Sequence, residues 1–269
     1  MSPFPATNLV PLLAALAYVT ASARLMRALR GDMPSHRPEA WLVLPALCLH
    51  AATHGLGWMR LNAPDLHFFA ALSLVGLGMA TLSTIAAQAQ RLAALGVITY
   101  PLAAAFLLLY HFAGHGSATE LDWRLQLHAL LALLAYATLA VSALLALMLW
   151  FQEKALRKRR IPGWLRALPP LTQLETLLFR SLGASFVLLT LALVTGVLFV
   201  QNLLEQHLWH KTVLSVLSWI VLLVLLFGRW RYGWRGPRAV KLTLIAMILL
   251  ALAFFGSKAV LELVLRRGI

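Results

Sequence analysis

Eight stretches of this chain are each apolar enough and long enough to cross a lipid bilayer, and no other feature restricts its folding as severely. A span needs about 20 apolar residues. Runs that meet this criterion lie at about 7–28, 39–60, 66–89, 92–113, 123–151, 175–200, 209–228 and 238–265. Hydrophobic residues make up 61% of the 269 and charged ones 12%, with a mean hydropathy of +0.81, well beyond the roughly 45–50% apolar content of a soluble domain. The expected fold class is all-α: a polytopic membrane protein, a bundle of eight transmembrane helices forming one domain over residues 1–269. The loops are too short for an extramembrane domain.

The formal net charge of +14 reports topology first, because Lys and Arg of membrane proteins gather in untranslocated loops. The opening "MSPFPATNLVPLLAALAYVTASARLMRALR" carries its arginines after the apolar run, not before it, so it reads as an uncleaved first helix with its N-terminus outside. With N- and C-termini outside, 17 of the 23 basic residues fall on inner loops and inner helix ends, leaving Arg60, Arg124, Lys211, Lys258, Arg266 and Arg267 outside. The longest inner connection, "FQEKALRKRRIPGWLRALPPLTQLETLLFR", extends the fifth helix, turns at Pro162-Gly163 and stops at Pro169-Pro170. Thr172 and Glu175 have capping-box spacing, which predicts that the sixth helix starts there. Cys48 is the sole cysteine, so an intramolecular disulfide, a CxxC pair and a thiolate cluster are all excluded.

Polar side chains within a span are expensive and usually mark function, which draws attention to nine histidines. His36 falls in an inner loop and His50 near mid-membrane. The other seven, His54, His67, His111, His115, His128, His207 and His210, all fall in the outer half or the outer loops. His50/His54 and His111/His115 are i, i+4 pairs, so each pair shares one helix face. His128 stands some five residues inside the outer end of the fifth helix. Neutral imidazole is the commonest metal ligand, and a set converging from helices two, four and five would hold iron or another transition metal, with His50 and His128 foremost. The plainer reading is that an intramembrane histidine hydrogen-bonds a neighbouring helix, while His67, His111, His115 and His207 serve the interface.

Other features are less pointed. Residues 226–240, "LFGRWRYGWRGPRAV", set Phe227, Trp230, Tyr232 and Trp234 among Arg229, Arg231, Arg235 and Arg238. An aromatic belt with positive-inside arginines gives this composition, as does a docking point for a partner or anionic lipid. Lys258 and Glu262 are spaced to pair. Arg60, Arg124 and Lys211 place cations beside the histidine-bearing helix ends, where they suit carboxylates of a bound group or anchor the chain by snorkelling. No nucleophile triad, P-loop, HExxH or dinucleotide fingerprint is visible. Neither an enzyme nor a nucleic-acid partner is expected.

The runs "LQLHALLALLAYATLAVSALLALMLWFQEKALRKRR", "LPPLTQLETLLFR", "LTLALVTGVLF" and "HKTVLSVLSWIVLLVLLFGRWRYGWRGPRAVKLTLIAMILLALAFFGSKAV" resemble the cytochrome c assembly family of bacterial membrane proteins, the CcsA, ResC and CcmC group. The likeness is to its short eight-helix branch, the YpjD and HemX-like proteins, and is strongest over about 125–265. That resemblance implies cytochrome c-type biogenesis in the bacterial plasma (inner) membrane, with haem handled at the outer face and helix histidines as axial ligands. By position, His128 with the "YATL" of its helix matches the family's histidine at that helix end, and His50 matches the recurring histidine of helix two. Lys211, Trp219 and the "GWRG" of Gly233–Gly236 match positions downstream of the family's tryptophan-rich segment. Where haem-exporting members carry "WGxxWxWD", this chain has "QNLLEQHLWHK", and Phe227 stands where larger members have a membrane histidine.

Together these readings predict a protein that binds or relays haem b in the outer half of the bilayer. His50 and His128 would be ligands, His54 or His115 substitutes, and Arg60, Arg124 and Lys211 would meet the propionates. The rival is a non-haem accessory or regulatory subunit of a membrane complex or transporter. Its inner loops would bind another membrane protein, and its histidines would serve packing or a divalent metal.

Overall fold

Lipid leaves no water to satisfy backbone groups, so each apolar run closes its hydrogen bonds on itself as a helix. The computed structural model describes residues 6–30, 40–61, 63–90, 93–113, 122–158, 169–199 and 209–256. These form α1 (Ala6–Leu29), α2 (Ala40–Leu61), α3 (Phe68–Gln90), α4 (Ala93–Phe112), α5 (Trp123–Arg157), α6 (Leu171–Phe199), α7 (Trp209–Tyr232) and α8 (Pro237–Ala251), with a π-helical turn over Leu252–Gly256. All eight, α8 together with its π-helical turn, are long and apolar enough to cross a membrane, so the chain is an all-α polytopic membrane protein.

The helices fall into two compact units, residues 1–120 with 163–169 and residues 121–162 with 170–269. In the first, α4 packs on both α1 and α3, and α2 packs on α1 and α3. Its core sets the buried rings of Tyr18 and Tyr100 among alanines of α1, α2 and α4, including Ala15, Ala46 and Ala104. Ala14, Ala70, Leu107 and Tyr110 form a smaller core beside it.

The second unit is built around α5. Its buried face is mostly Ala, Ser and Thr, and small residues let helices approach closely in a bilayer, where packing replaces the hydrophobic drive. Interhelical hydroxyl bonds follow: Ser142 donates to the Ser181 hydroxyl at 2.8 Å and Ser181 to the Thr138 carbonyl at 3.1 Å. On α7, Ser218 donates to the Ala246 carbonyl of α8 at 2.8 Å. The Trp219 indole donates to Thr190 of α6 at 2.8 Å.

One boundary differs from expectation. The sixth helix starts at Leu171, not at a Thr172 cap, because the Pro170 carbonyl already accepts from the amides of Gln173 and Leu174. Thr172 is thus inside the first turn, where its carbonyl accepts the Thr176 hydroxyl, and Glu175 instead meets Arg235 at 3.5 Å. The charged extension of α5 through Arg157 is as the sequence predicts.

The Arg/Trp run covers the last turn of α7 and the structured turn that leads into α8. Gly233 and Gly236 take positive φ there, a region that suits glycine. Arg229 lays its guanidinium over Phe179, 4.5 Å from the ring centroid, and donates to the Trp234 carbonyl at 3.3 Å. Trp230 and Tyr232 stay exposed. Lys258 and Glu262 lie outside the described residues.

Candidate functional site

The histidines of the two units stand in different chemical settings. In the second unit His128, Ala132 and Tyr136 share one face of α5, and with α6, α7 and the end of α8 they line a cavity of about 250 Å³. The space exists because the facing positions are small: Ala192 and Gly196 on α6, Ser215 on α7 and Ala253 in the π-helical turn. Lys211, in the first turn of α7, also lines it. The remaining wall is chiefly apolar, from residues such as Leu189, Leu193 and Phe254.

The His128 tautomer follows from its partner. Nδ1 lies 2.9 Å from the Ala192 carbonyl and 3.3 Å from the Thr195 hydroxyl. A carbonyl only accepts, so Nδ1 carries the proton and Nε2 of the neutral ring holds a lone pair. An Nδ1–H donated to a backbone carbonyl is the arrangement that orients a ligating histidine and raises its basicity. Gly196 gives it room: a Cβ there would stand 3.1 Å from His128 Cε1, so even alanine would make the ring shift by a few tenths of an ångström.

Tyr136 closes the deeper end, donating its hydroxyl to the Leu250 carbonyl at 2.6 Å. That carbonyl lies two residues before the start of the π-helical turn over Leu252–Gly256. Such turns interrupt the α-helical ladder and are frequent at functional sites.

In the first unit His50, His54 and His67 each meet polar or aromatic partners. His50 is fully buried, with Nδ1 3.3 Å from the Tyr18 hydroxyl and Nε2 2.9 Å from the Ser73 hydroxyl. The same Ser73 oxygen lies 3.0 Å from His54 Nε2. The i, i+4 spacing on α2 stacks the two imidazoles with centroids 5.6 Å apart, and His54 stacks in turn on Tyr110 at 4.7 Å. Beyond Tyr110 stands His67, whose Nδ1 is 2.6 Å from Asp65 Oδ1.

The remaining residues singled out by the sequence divide as follows. Arg124 is exposed, 3.9 Å from Asp122 and over the Trp123 ring. His111 stands edge-on to Phe112 at the end of α4. The Arg60 side chain and His115 lie outside the described residues. Among the described residues, no three His, Cys, Asp or Glu side chains gather to hold a metal ion. The divalent-ion alternative therefore has no donor set there. Sequence reasoning passed over Ser73, Tyr18 and Gly196, and also the Asp65–His67 pair, although Asp65 is the sole acidic residue between Glu39 and Glu120.

Comparison with known proteins agrees with this architecture. The profile of the cytochrome C assembly protein family matches residues 65–265. The chain is 31% identical to inner membrane protein YpjD of Escherichia coli strain K12, over 95% of this chain and all of that protein. It is 30% identical to protein HemX of Brevibacillus brevis over 48% of each chain. With cytochrome c biogenesis protein CcsA of Chlamydomonas reinhardtii the identity is 22%, over 54% of this chain and 40% of that one. No solved structure matches. Eight spans, the family profile and full-length similarity to an inner membrane protein lead to one conclusion: the chain belongs to the cytochrome c assembly family and is a multi-pass protein of the bacterial inner membrane.

Proposed function

We propose that this chain binds or relays haem b at the His128 cavity as part of cytochrome c assembly, with His128 as axial ligand. The observation that carries this reading is the His128 ring itself, its Nδ1 proton held by the Ala192 carbonyl and its ring edge on a largely apolar cavity. The donor set suits the group: a neutral imidazole for iron, apolar walls for the macrocycle, and the Lys211 ammonium for a carboxylate. Bound there, haem supplies an iron centre that takes an imidazole ligand and is redox-active.

The chain's own residues do the holding. The Ala192 carbonyl fixes which His128 nitrogen faces a ligand, and Gly196 gives the ring room beside α6. The volume of about 250 Å³ is below the roughly 300–1,000 Å³ of small-molecule sites, which suits holding only part of a large flat ligand. An axial role for His50 would need its imidazole to leave Ser73 or Tyr18, so this reading gives the ligand position to His128 and a different task to His50.

The test is a haem titration of the purified full-length protein in detergent. Wild type is expected to develop a Soret band that saturates, and His128→Ala to lose it. Wild type that stays spectrally silent, or a His128→Ala band of equal intensity and position, would overturn the assignment.

A further inference from the structure

The closed cluster of the first unit is not used by the cavity of the second. Its buried members are groups that both donate and accept: the Tyr18 and Ser73 hydroxyls, joined by the imidazoles of His50 and His54. Packing alone does not call for this choice. Burying a polar group away from water carries a penalty unless it is hydrogen-bonded, and apolar residues of similar volume would fill the same space. Two imidazoles, the side chains that exchange protons near neutral pH, instead converge on one hydroxyl oxygen, His50 Nε2 at 2.9 Å and His54 Nε2 at 3.0 Å.

A hydroxyl has a single proton to give. When Ser73 donates to one Nε2 it is open to accept from the other, so the bridge favours opposite protonation of the two facing nitrogens. We propose that His54, Ser73 and His50 form a proton shuttle within the first unit, capped by Tyr18.

The proton count closes. With an extra proton on His54, its Nε2–H passes to Ser73 Oγ while the Ser73 hydroxyl proton passes to His50 Nε2. Ser73 gains one proton and loses one, His54 returns to neutral, and His50 becomes the imidazolium, its Nδ1–H donated to the Tyr18 oxygen. A unit positive charge moves one helical turn along α2, about 6 Å, with no heavy atom displaced.

The two ends of the chain of groups have different neighbours. Tyr110 stacks on His54 and also contacts His67, whose Nδ1 is held by Asp65 while its buried Nε2 makes no hydrogen bond. This carboxylate and imidazole form a proton donor or acceptor at the end of α2 and α3 where the chain passes from one to the other. At the opposite end Tyr100 stacks on Tyr18, and Cys48 is the other titratable neighbour of that hydroxyl.

The experiment uses the full-length protein labelled with 15N-histidine, prepared without haem in lipid nanodiscs, so its outcome is independent of the cavity reading. Hydrogen–deuterium exchange and pH titration of the imidazole nitrogens are followed by NMR. In wild type, His50 is expected to exchange through a transient imidazolium while His54 titrates. In Ser73→Ala, His50 exchange is expected to slow by about tenfold or more while His54 still titrates; Ser73→Thr, which keeps the hydroxyl, restores the wild-type rate. His54→Phe, which retains the ring stacking, provides a second break in the chain and is expected to slow His50 likewise. Equal His50 exchange in wild type, Ser73→Ala and His54→Phe would overturn the shuttle.

Discussion

His50 and His128 are both imidazoles on apolar helices, yet the first has a hydrogen-bond partner for each ring nitrogen and the second for only one side of its ring. In the first unit a tyrosine and a serine from neighbouring helices enclose the ring. In the second, small residues on the facing helices leave a cavity beside it. An intramembrane histidine is therefore diagnosed by what its second nitrogen meets, and its depth in the bilayer says much less. On the readings proposed above, the fully partnered ring passes protons and the ring held on one side takes a ligand.

Four substitutions sharpen that contrast, the most disruptive first. His50→Ala removes a fully buried ring and takes the imidazole partner from Tyr18, which should destabilise the protein by about 3–5 kcal/mol. His128→Ala, beside a cavity that already exists, should lose only about 1 kcal/mol. Equilibrium unfolding in detergent compares the two, and equal losses would erase the distinction between closed and open histidines. Next, Gly196→Val would push the His128 ring from its carbonyl and fill part of the cavity, reducing haem affinity by roughly 10–100-fold with the helical CD spectrum retained; unchanged affinity would show that the ring position does not matter. Smallest is Tyr136→Phe, which deletes the hydroxyl donated to Leu250 and should lower stability by about 1 kcal/mol, seen as a modest shift in the same unfolding curve.

The eight spans were legible in the sequence because each is a local property, a run of apolar residues of bilayer length, and the basic extension of α5 was legible for the same reason. The start of α6 was not, since Thr172 and Glu175 have capping-box spacing whether or not the Pro170 carbonyl opens the helix first. The i, i+4 relation of His50 and His54 was visible and holds as a stacked pair. Ser73 was not, because a serine in an apolar helix carries no mark of what crosses to it from another. The cavity was equally hidden: Ala192, Gly196 and Ala253 become significant only once α5, α6 and the end of α8 are seen to face one space. Asp65 two residues before His67 was the one missed signal that lay in plain view.

One further consequence belongs to α5. Its 35 residues, Trp123–Arg157, extend about 52 Å at 1.5 Å per residue, well beyond a hydrocarbon core of about 30 Å. The helix contains neither proline nor glycine, and the Lys154 ammonium sits over the Trp150 ring, 4.6 Å from its centroid, near the far end. His128 and Lys154 thus ride on one uninterrupted rod. Leverage applied to the aqueous tip would be delivered to the imidazole as tilt, with no hinge between them to absorb it.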